Sequence, residues 1–135
     1  MRVISGVHKG RRIQAPKNLP VRPTTDRSKE GLFNILQHRL DFKSIKVLDL
    51  FAGTGSISYE FSSRGTKYVS AIDQNKSCVQ FIQKTATALE MKIIAIQGEC
   101  LRFLEQNSFS YDLIFADPPY NIEIHNYEKI IILSR

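Results

Sequence analysis

The chain has 135 residues, 42% of them apolar and 24% charged, which points to one folded domain around one core and leaves no room for a tandem multidomain enzyme. No apolar run approaches the roughly 18 residues of a membrane span, the start reaches Lys9, Arg11 and Arg12 too soon for a secretory leader, and the two cysteines, Cys78 and Cys100, form neither a disulfide scaffold nor a C-x-x-C metal pattern. A soluble protein of the reducing cytoplasm, with no membrane and no metal, is expected.

The net charge of +6 is unevenly distributed. Arg2, Lys9, Arg11, Arg12, Lys17, Arg22, Arg27 and Lys29 stand against Asp26 alone in residues 1–29, a balance of +7 that leaves −1 for residues 30–135. A near-neutral body behind a basic arm is the footprint of a polyanion binder, because each cation that meets a phosphate releases a condensed counterion. Residues 1–24 therefore read as a basic arm and linker, with Arg2, Lys9, Arg11, Arg12, Arg22 and Arg27 as candidate phosphate contacts, and residues 25–135 as the domain. The bland alternative is a solvated basic tail.

In chain order, the segments around Gly6 and Gly10 suggest a short hairpin with exposed arginines. Pro16, Pro20 and Pro23 make an extended linker. Thr24, Thr25 and Asp26 are N-cap candidates for a helix reaching about residue 40, with Leu32, Ile35, Leu36 and Leu40 on its buried face. Four short apolar runs follow, at Ile45–Phe51, Tyr68–Ile72, Ile93–Ile96 and Leu113–Ala116, separated by helical stretches at Ser56–Ser63, Asn75–Leu89 and roughly Glu99–Glu105. That alternation predicts an α/β fold, an open parallel sheet with helices on both faces, whose ligands bind at the carboxyl ends of the strands. The chain stops soon after the fourth run, which predicts an unpaired outer edge there, covered in part by a helix over Ile130–Leu133, with self-association as the consequence.

The first strand ends in Asp49-Leu-Phe-Ala-Gly-Thr-Gly, where Gly53 and Gly55 allow a tight turn and close backbone approach to a ligand. Asp73 closes the second strand 20 residues beyond Gly53, where a carboxylate suits a pair of ribose hydroxyls. Ser58 occupies the third position of the dinucleotide G-x-G-x-x-G pattern, and Asp49 is awkward beside a pyrophosphate but favourable beside an α-ammonium. Both favour S-adenosylmethionine over a nicotinamide dinucleotide.

The fourth strand runs into Asp117-Pro118-Pro119-Tyr120. Methyl transfer to an exocyclic amine needs the nitrogen lone pair turned toward the methyl carbon, so acceptors must hold the N–H bonds. The Asp117 carboxylate and the Pro118 carbonyl can do this, and Tyr120 offers a ring for the base to stack on. The target base must be flipped out or unpaired.

The glycine loop, Asp117-Pro-Pro-Tyr, the Gly6 to Gly10 arm and Arg22-Pro-Thr-Thr-Asp-Arg together resemble the bacterial small-subunit ribosomal RNA guanine-N2 methyltransferases over nearly the whole chain. The resemblance implies a class I, Rossmann-like S-adenosylmethionine-dependent methyltransferase fold, S-adenosylmethionine as donor, and a guanine of 16S rRNA within the small ribosomal subunit or its assembly intermediate as acceptor. It implies that Asp49, Gly53 and Gly55 meet the methionine part, Asp73 the ribose, and Glu99 with Cys100 the adenine, while Asp117, Pro118 and Tyr120 hold the guanine amine. Glu99 departs from the more usual Asp, and Gly31 stands where a helix former is common. Family members continue through three more strands past the reaction motif, so C-terminal strands are expected to be missing here. Rival readings are a non-catalytic nucleic-acid-binding remnant and a DNA adenine-N6 methylase.

Overall fold

The structure is a computed structural model that describes residues 1–19, 24–118 and 130–132. Its elements are α1 (Asp26–Leu36), β1 (Lys46–Leu50), α2 (Ser56–Ser63), β2 (Tyr68–Asp73), α3 (Lys76–Ala88), β3 (Ile93–Gln97), α4 (Cys100–Asn107), β4 (Leu113–Ala116) and β5 (Ile130–Ile132). Side chains cap α1 and α3: Thr25, one of the three cap candidates, accepts on Oγ1 from the Ser28 N–H at 3.1 Å, and Asn75 Oδ1 accepts from the Cys78 N–H at 3.0 Å.

All strand pairs are parallel, in the order β3-β2-β1-β4-β5. Two apolar layers explain why β1 and β4 are nearly uninterrupted apolar runs: a parallel strand in this fold is covered on both faces. Val47, Val69, Ala71, Ile93, Leu113 and Phe115 pack with α1, α2 and α3, while Leu48, Leu50, Ile72, Ile114 and Ala116 pack with Cys100 and Leu104 of α4. After β3 the chain crosses back to pair β4 with β1, so the strand order reverses beside β1, and the carboxyl ends of β1, β2 and β4 surround that crossing point.

Two expectations need correction. The sheet has five strands among the described residues, not four: Ile130–Ile132 pairs with Ile114–Ala116 as β5, so the outer edge of β4 is occupied by a strand and not by a helix. Consecutive isoleucines, stiff at χ1 and branched at Cβ, favour the pleated conformation. The other edge, β3, is guarded by a side chain. Gln83 donates its Nε2–H to the Ile93 carbonyl at 3.2 Å and accepts the Ala95 N–H on Oε1 at 3.0 Å, satisfying the backbone as a neighbouring strand would.

The second correction concerns α1, which ends at Leu36 and buries Lys29, Phe33 and Leu36. Ile35, expected on the buried face, is 58% exposed. A lysine on the inner face displaced the apolar periodicity by one position, because Lys29 has a buried partner in Glu60.

The arm is folded against the body. Arg2 and Arg12 face each other in an antiparallel bridge, and Val3 and Ile13 lie in the core. The tip of this hairpin rests on the end of α2: the Val7 N–H donates to the Ser63 carbonyl at 2.9 Å, and Ser63 Oγ donates to the Ser5 carbonyl at 2.6 Å. Gly6, at φ +92°, is required here, since a Cβ would collide with the Ser63 carbonyl.

Candidate active site

The register places three carboxylates around the turn after β1. Leu50 pairs with Ile72 on one side and Ala116 on the other, so Asp73 and Asp117 each stand one position beyond Leu50, flanking Phe51. Gly53 and Gly55 follow, at φ +59° and +87°. Gly55 starts α2, and a Cβ there would meet the Tyr59 ring at 2.8 Å and Ile82 at 2.9 Å. Position 55, at the N-terminus of α2, thus has no space for a side chain.

Asp73 ties the turn to β2. Its Oδ2 accepts the Gly53 N–H and its Oδ1 the Asn75 N–H, both at 2.9 Å, which leaves each oxygen a further lone pair for a hydroxyl donor. Asp49 is 1% exposed, and its Oδ2 accepts the Ser58 hydroxyl at 2.7 Å. Burial pushes the Asp49 carboxyl up to about 7; the Ser58 hydrogen bond opposes that rise, and the Asp73 and Asp117 charges add to it. Three carboxylates within electrostatic reach favour a cationic or hydroxyl-bearing ligand. Among the described residues, no group of three His, Cys, Asp or Glu side chains is arranged to hold a metal ion.

The remaining candidates are placed unequally. Glu99 caps α4, its carboxylate accepting the Leu101 N–H at 3.2 Å and the Arg102 N–H at 2.7 Å. Cys100 is buried, with Sγ 3.7 Å from the Ile72 carbonyl, and burial pushes its thiol up to about 12, so the side chain is an inert packing group. Pro118 is buried next to half-buried Asp117, and Tyr120 lies outside the described residues. Of the basic set, Arg2, Lys9, Arg11, Arg12 and Arg27 are exposed, while Arg22 lies outside the described residues. Lys29, counted with the arm's charge, is 1% exposed and contributes nothing to that surface.

Two groups were not read from the sequence. Ser58 was seen only as the absence of a third glycine, whereas its hydroxyl holds Asp49. Glu60, fully buried, accepts the Ile4 and Ser5 N–H groups at 2.9 and 3.1 Å and Arg64 Nε–H at 2.8 Å, with Lys29 Nζ at 3.6 Å. The available signal was a glutamate inside Ser-Ile-Ser-Tyr-Glu-Phe-Ser-Ser, an otherwise uncharged helix.

Comparison with known proteins agrees with this architecture. The chain is 33% identical over 129 residues to the ribosomal RNA small subunit methyltransferase D of Haemophilus influenzae, covering 92% of this chain and 66% of that protein. It is 31% identical over 121 residues to the protein of the same name from Escherichia coli K12, covering 89% and 60%. It therefore spans between three fifths and two thirds of the length of these relatives. Among solved structures it is similar to the Escherichia coli candidate methyltransferase yhhF, with a TM-score of 0.77 at 30% identity over 90% of this chain and 65% of that one. A hypothetical protein of Thermus thermophilus shares the fold, with a TM-score of 0.78 at 21% identity over 93% and 72%. A family profile matches residues 1–133, and the chain accordingly belongs to the family described as conserved hypothetical protein 95.

Proposed function

We propose that this chain is an S-adenosylmethionine-dependent methyltransferase of the cytoplasm that acts on the exocyclic N2 amine of a guanine in 16S rRNA, presented in the small ribosomal subunit or its assembly intermediate. The observation that carries the reading is the arrangement of Asp49, Asp73 and Asp117 at the ends of β1, β2 and β4 around a turn held at positive φ. S-adenosylmethionine, when bound, supplies an electrophilic methyl group. The residues fit it: a desolvated Asp49 gains from a cation beside it, Asp73 keeps lone pairs for the ribose hydroxyls, and Gly53 and Gly55 let the methionine part approach the backbone. Glu99 and the backbone at Cys100 are assigned to the adenine.

On the acceptor side, the Asp117 carboxylate and the Pro118 carbonyl hold the two N–H bonds of the guanine amine, turning its lone pair toward the incoming methyl. The same acceptors stabilise the positive charge that grows on nitrogen before a proton leaves. Tyr120 is assigned to stacking on the base. The exposed cations Arg2, Lys9, Arg11, Arg12 and Arg27, with Arg22, meet RNA phosphates.

The ribosomal RNA methyltransferases among the relatives support the substrate class. The test is transfer of labelled methyl groups to purified small-subunit particles and, separately, to naked DNA, followed by nucleoside mass spectrometry. N2-methylguanosine in 16S rRNA is expected. N6-methyladenosine in DNA would replace the reading with a DNA methylase, and cofactor or RNA binding without transfer would replace it with a binding remnant.

A further inference from the structure

The proposed function puts RNA on the arm; resting on it, we infer that the RNA path continues over α3, where a single-stranded segment lies in a groove with phosphates on Arg11, Arg12 and Lys84 and a base against Phe81. The groove, about 410 Å³, runs between the returning strand of the hairpin and α3, with Pro16 and Leu89 also in its lining. Its charged lining residues are three cations, with no carboxylate. A second groove of about 380 Å³, which shares Arg12 and also includes Arg2, contains Asp26, whose carboxylate accepts the Arg2 N–H at 3.1 Å. The Asp26 carboxylate offsets part of the positive charge of that groove, whereas the lining on the α3 side has no carboxylate to oppose a phosphate.

The helix itself carries the same bias. α3 contains Lys76 and Lys84 and no acidic residue, although residues 30–135 as a whole carry a net −1. Lys84 is exposed, while Phe81 is half-buried, packed against the core and also lining the groove. Cations flanking an aromatic ring form the surface on which unpaired bases stack while the backbone tracks positive charge. A duplex, with its bases turned inward, would leave the ring and the apolar floor unused. Ile82, the next residue of α3, is buried on the inner side of the helix close to Gly55, so α3 packs beside the glycine turn.

The test is fluorescence anisotropy with a short fluorescein-labelled single-stranded oligoribonucleotide across a salt series. The proteins compared are the wild type, Lys84→Ala, Phe81→Leu, and a variant with both Arg11→Ala and Arg12→Ala. S-adenosylmethionine affinity is measured in parallel by calorimetry. Leucine at position 81 keeps apolar volume against the core, and Lys84 is exposed, so both variants retain the fold. Lys84→Ala should flatten the plot of log K against log salt by about 0.7. Phe81→Leu should weaken binding about fivefold or more with the slope unchanged. Cofactor affinity should stay at the wild-type value throughout. Wild-type RNA binding by Lys84→Ala or by Phe81→Leu, with the arginine variant impaired, would overturn the groove and leave the arm reading standing. A wild-type chain without RNA affinity would overturn both.

Discussion

The Lys29 ammonium stands 3.6 Å from the Glu60 carboxylate, with both side chains shut away from solvent, and between them they hold the first strand of the hairpin: Glu60 accepts the Ile4 and Ser5 N–H groups, and Lys29 donates to the Arg2 carbonyl at 2.6 Å. Burial lowers the Lys29 pKa, and the Glu60 charge opposes that shift. Removing one member of a buried pair leaves the other uncompensated, at roughly 3–5 kcal/mol. Glu60→Ala should lose stability on that scale in urea unfolding and free the amides of residues 3–10 to hydrogen exchange. Lys29→Met should cost less, because Glu60 keeps Arg64 and the two backbone donors. Equal losses from the two changes would show that the carboxylate has no special part in docking the arm.

Asp49 imposes a pH dependence of a stated sign. Its folded-state pKa, about 7, lies above the ordinary 3.8, so the native state binds a proton that the unfolded chain has released, and its contribution to stability falls as pH rises from about 4 to about 7. Affinity for S-adenosylmethionine should move the other way. The ionised carboxylate is the form that receives an ammonium, so binding should tighten about tenfold between about pH 6 and pH 8 by calorimetry. Asp49→Asn should abolish that dependence, and Ser58→Ala should shift it to higher pH by removing the hydrogen bond to the charged form. A pH-independent affinity in the wild type would place Asp49 away from the ammonium.

Gly31 and Gly55 should respond in opposite directions to alanine. Gly31 lies inside α1 at an exposed position with nothing within 4 Å of an added Cβ, so Gly31→Ala should raise stability by about 0.5–1 kcal/mol in urea unfolding. Gly55→Ala puts a side chain at φ +87° against Tyr59 and Ile82 and should destabilise the protein and weaken cofactor binding together. Destabilisation by Gly31→Ala would mean that α1 has a tighter environment than its geometry indicates.

The first four strands and most helices were legible because parallel strands buried on two faces are written as apolar runs, and because Thr25 announces α1. The positions of the glycine turn and the three aspartates were legible for a related reason: they lie at or next to strand ends, which the runs locate. Polar groups that act inside the core were not. Lys29 and Glu60 are separated by 31 positions, and only tertiary packing makes either tolerable, so a local pattern assigns the lysine to the surface and Ile35 to the core. β5 was missed because its pairing with β4 is likewise non-local, and a lone run of isoleucines reads as readily as a helix fragment.

Asp73 and Asp117 flank the same backbone position, yet their removal should separate donor binding from methyl transfer. Asp117→Ala should abolish transfer while S-adenosylmethionine affinity measured by calorimetry stays close to wild type, because this carboxylate is assigned to the acceptor amine. Asp73→Ala should weaken cofactor binding through the loss of charge-assisted hydrogen bonds, each roughly 1.5–3 kcal/mol. It should also lower stability, since Asp73 holds the Gly53 and Asn75 N–H groups at 2.9 Å in the protein itself. Asp73→Asn distinguishes these two contributions. Its carboxamide oxygen can still accept one of the backbone bonds, so most of the stability should return, whereas the loss of charge and of the second acceptor keeps the ribose site weak. Thermal melting and calorimetry on the three variants read both quantities. A folded Asp117→Ala protein with wild-type turnover would refute the acceptor assignment, and wild-type cofactor affinity in Asp73→Ala would remove Asp73 from the ribose.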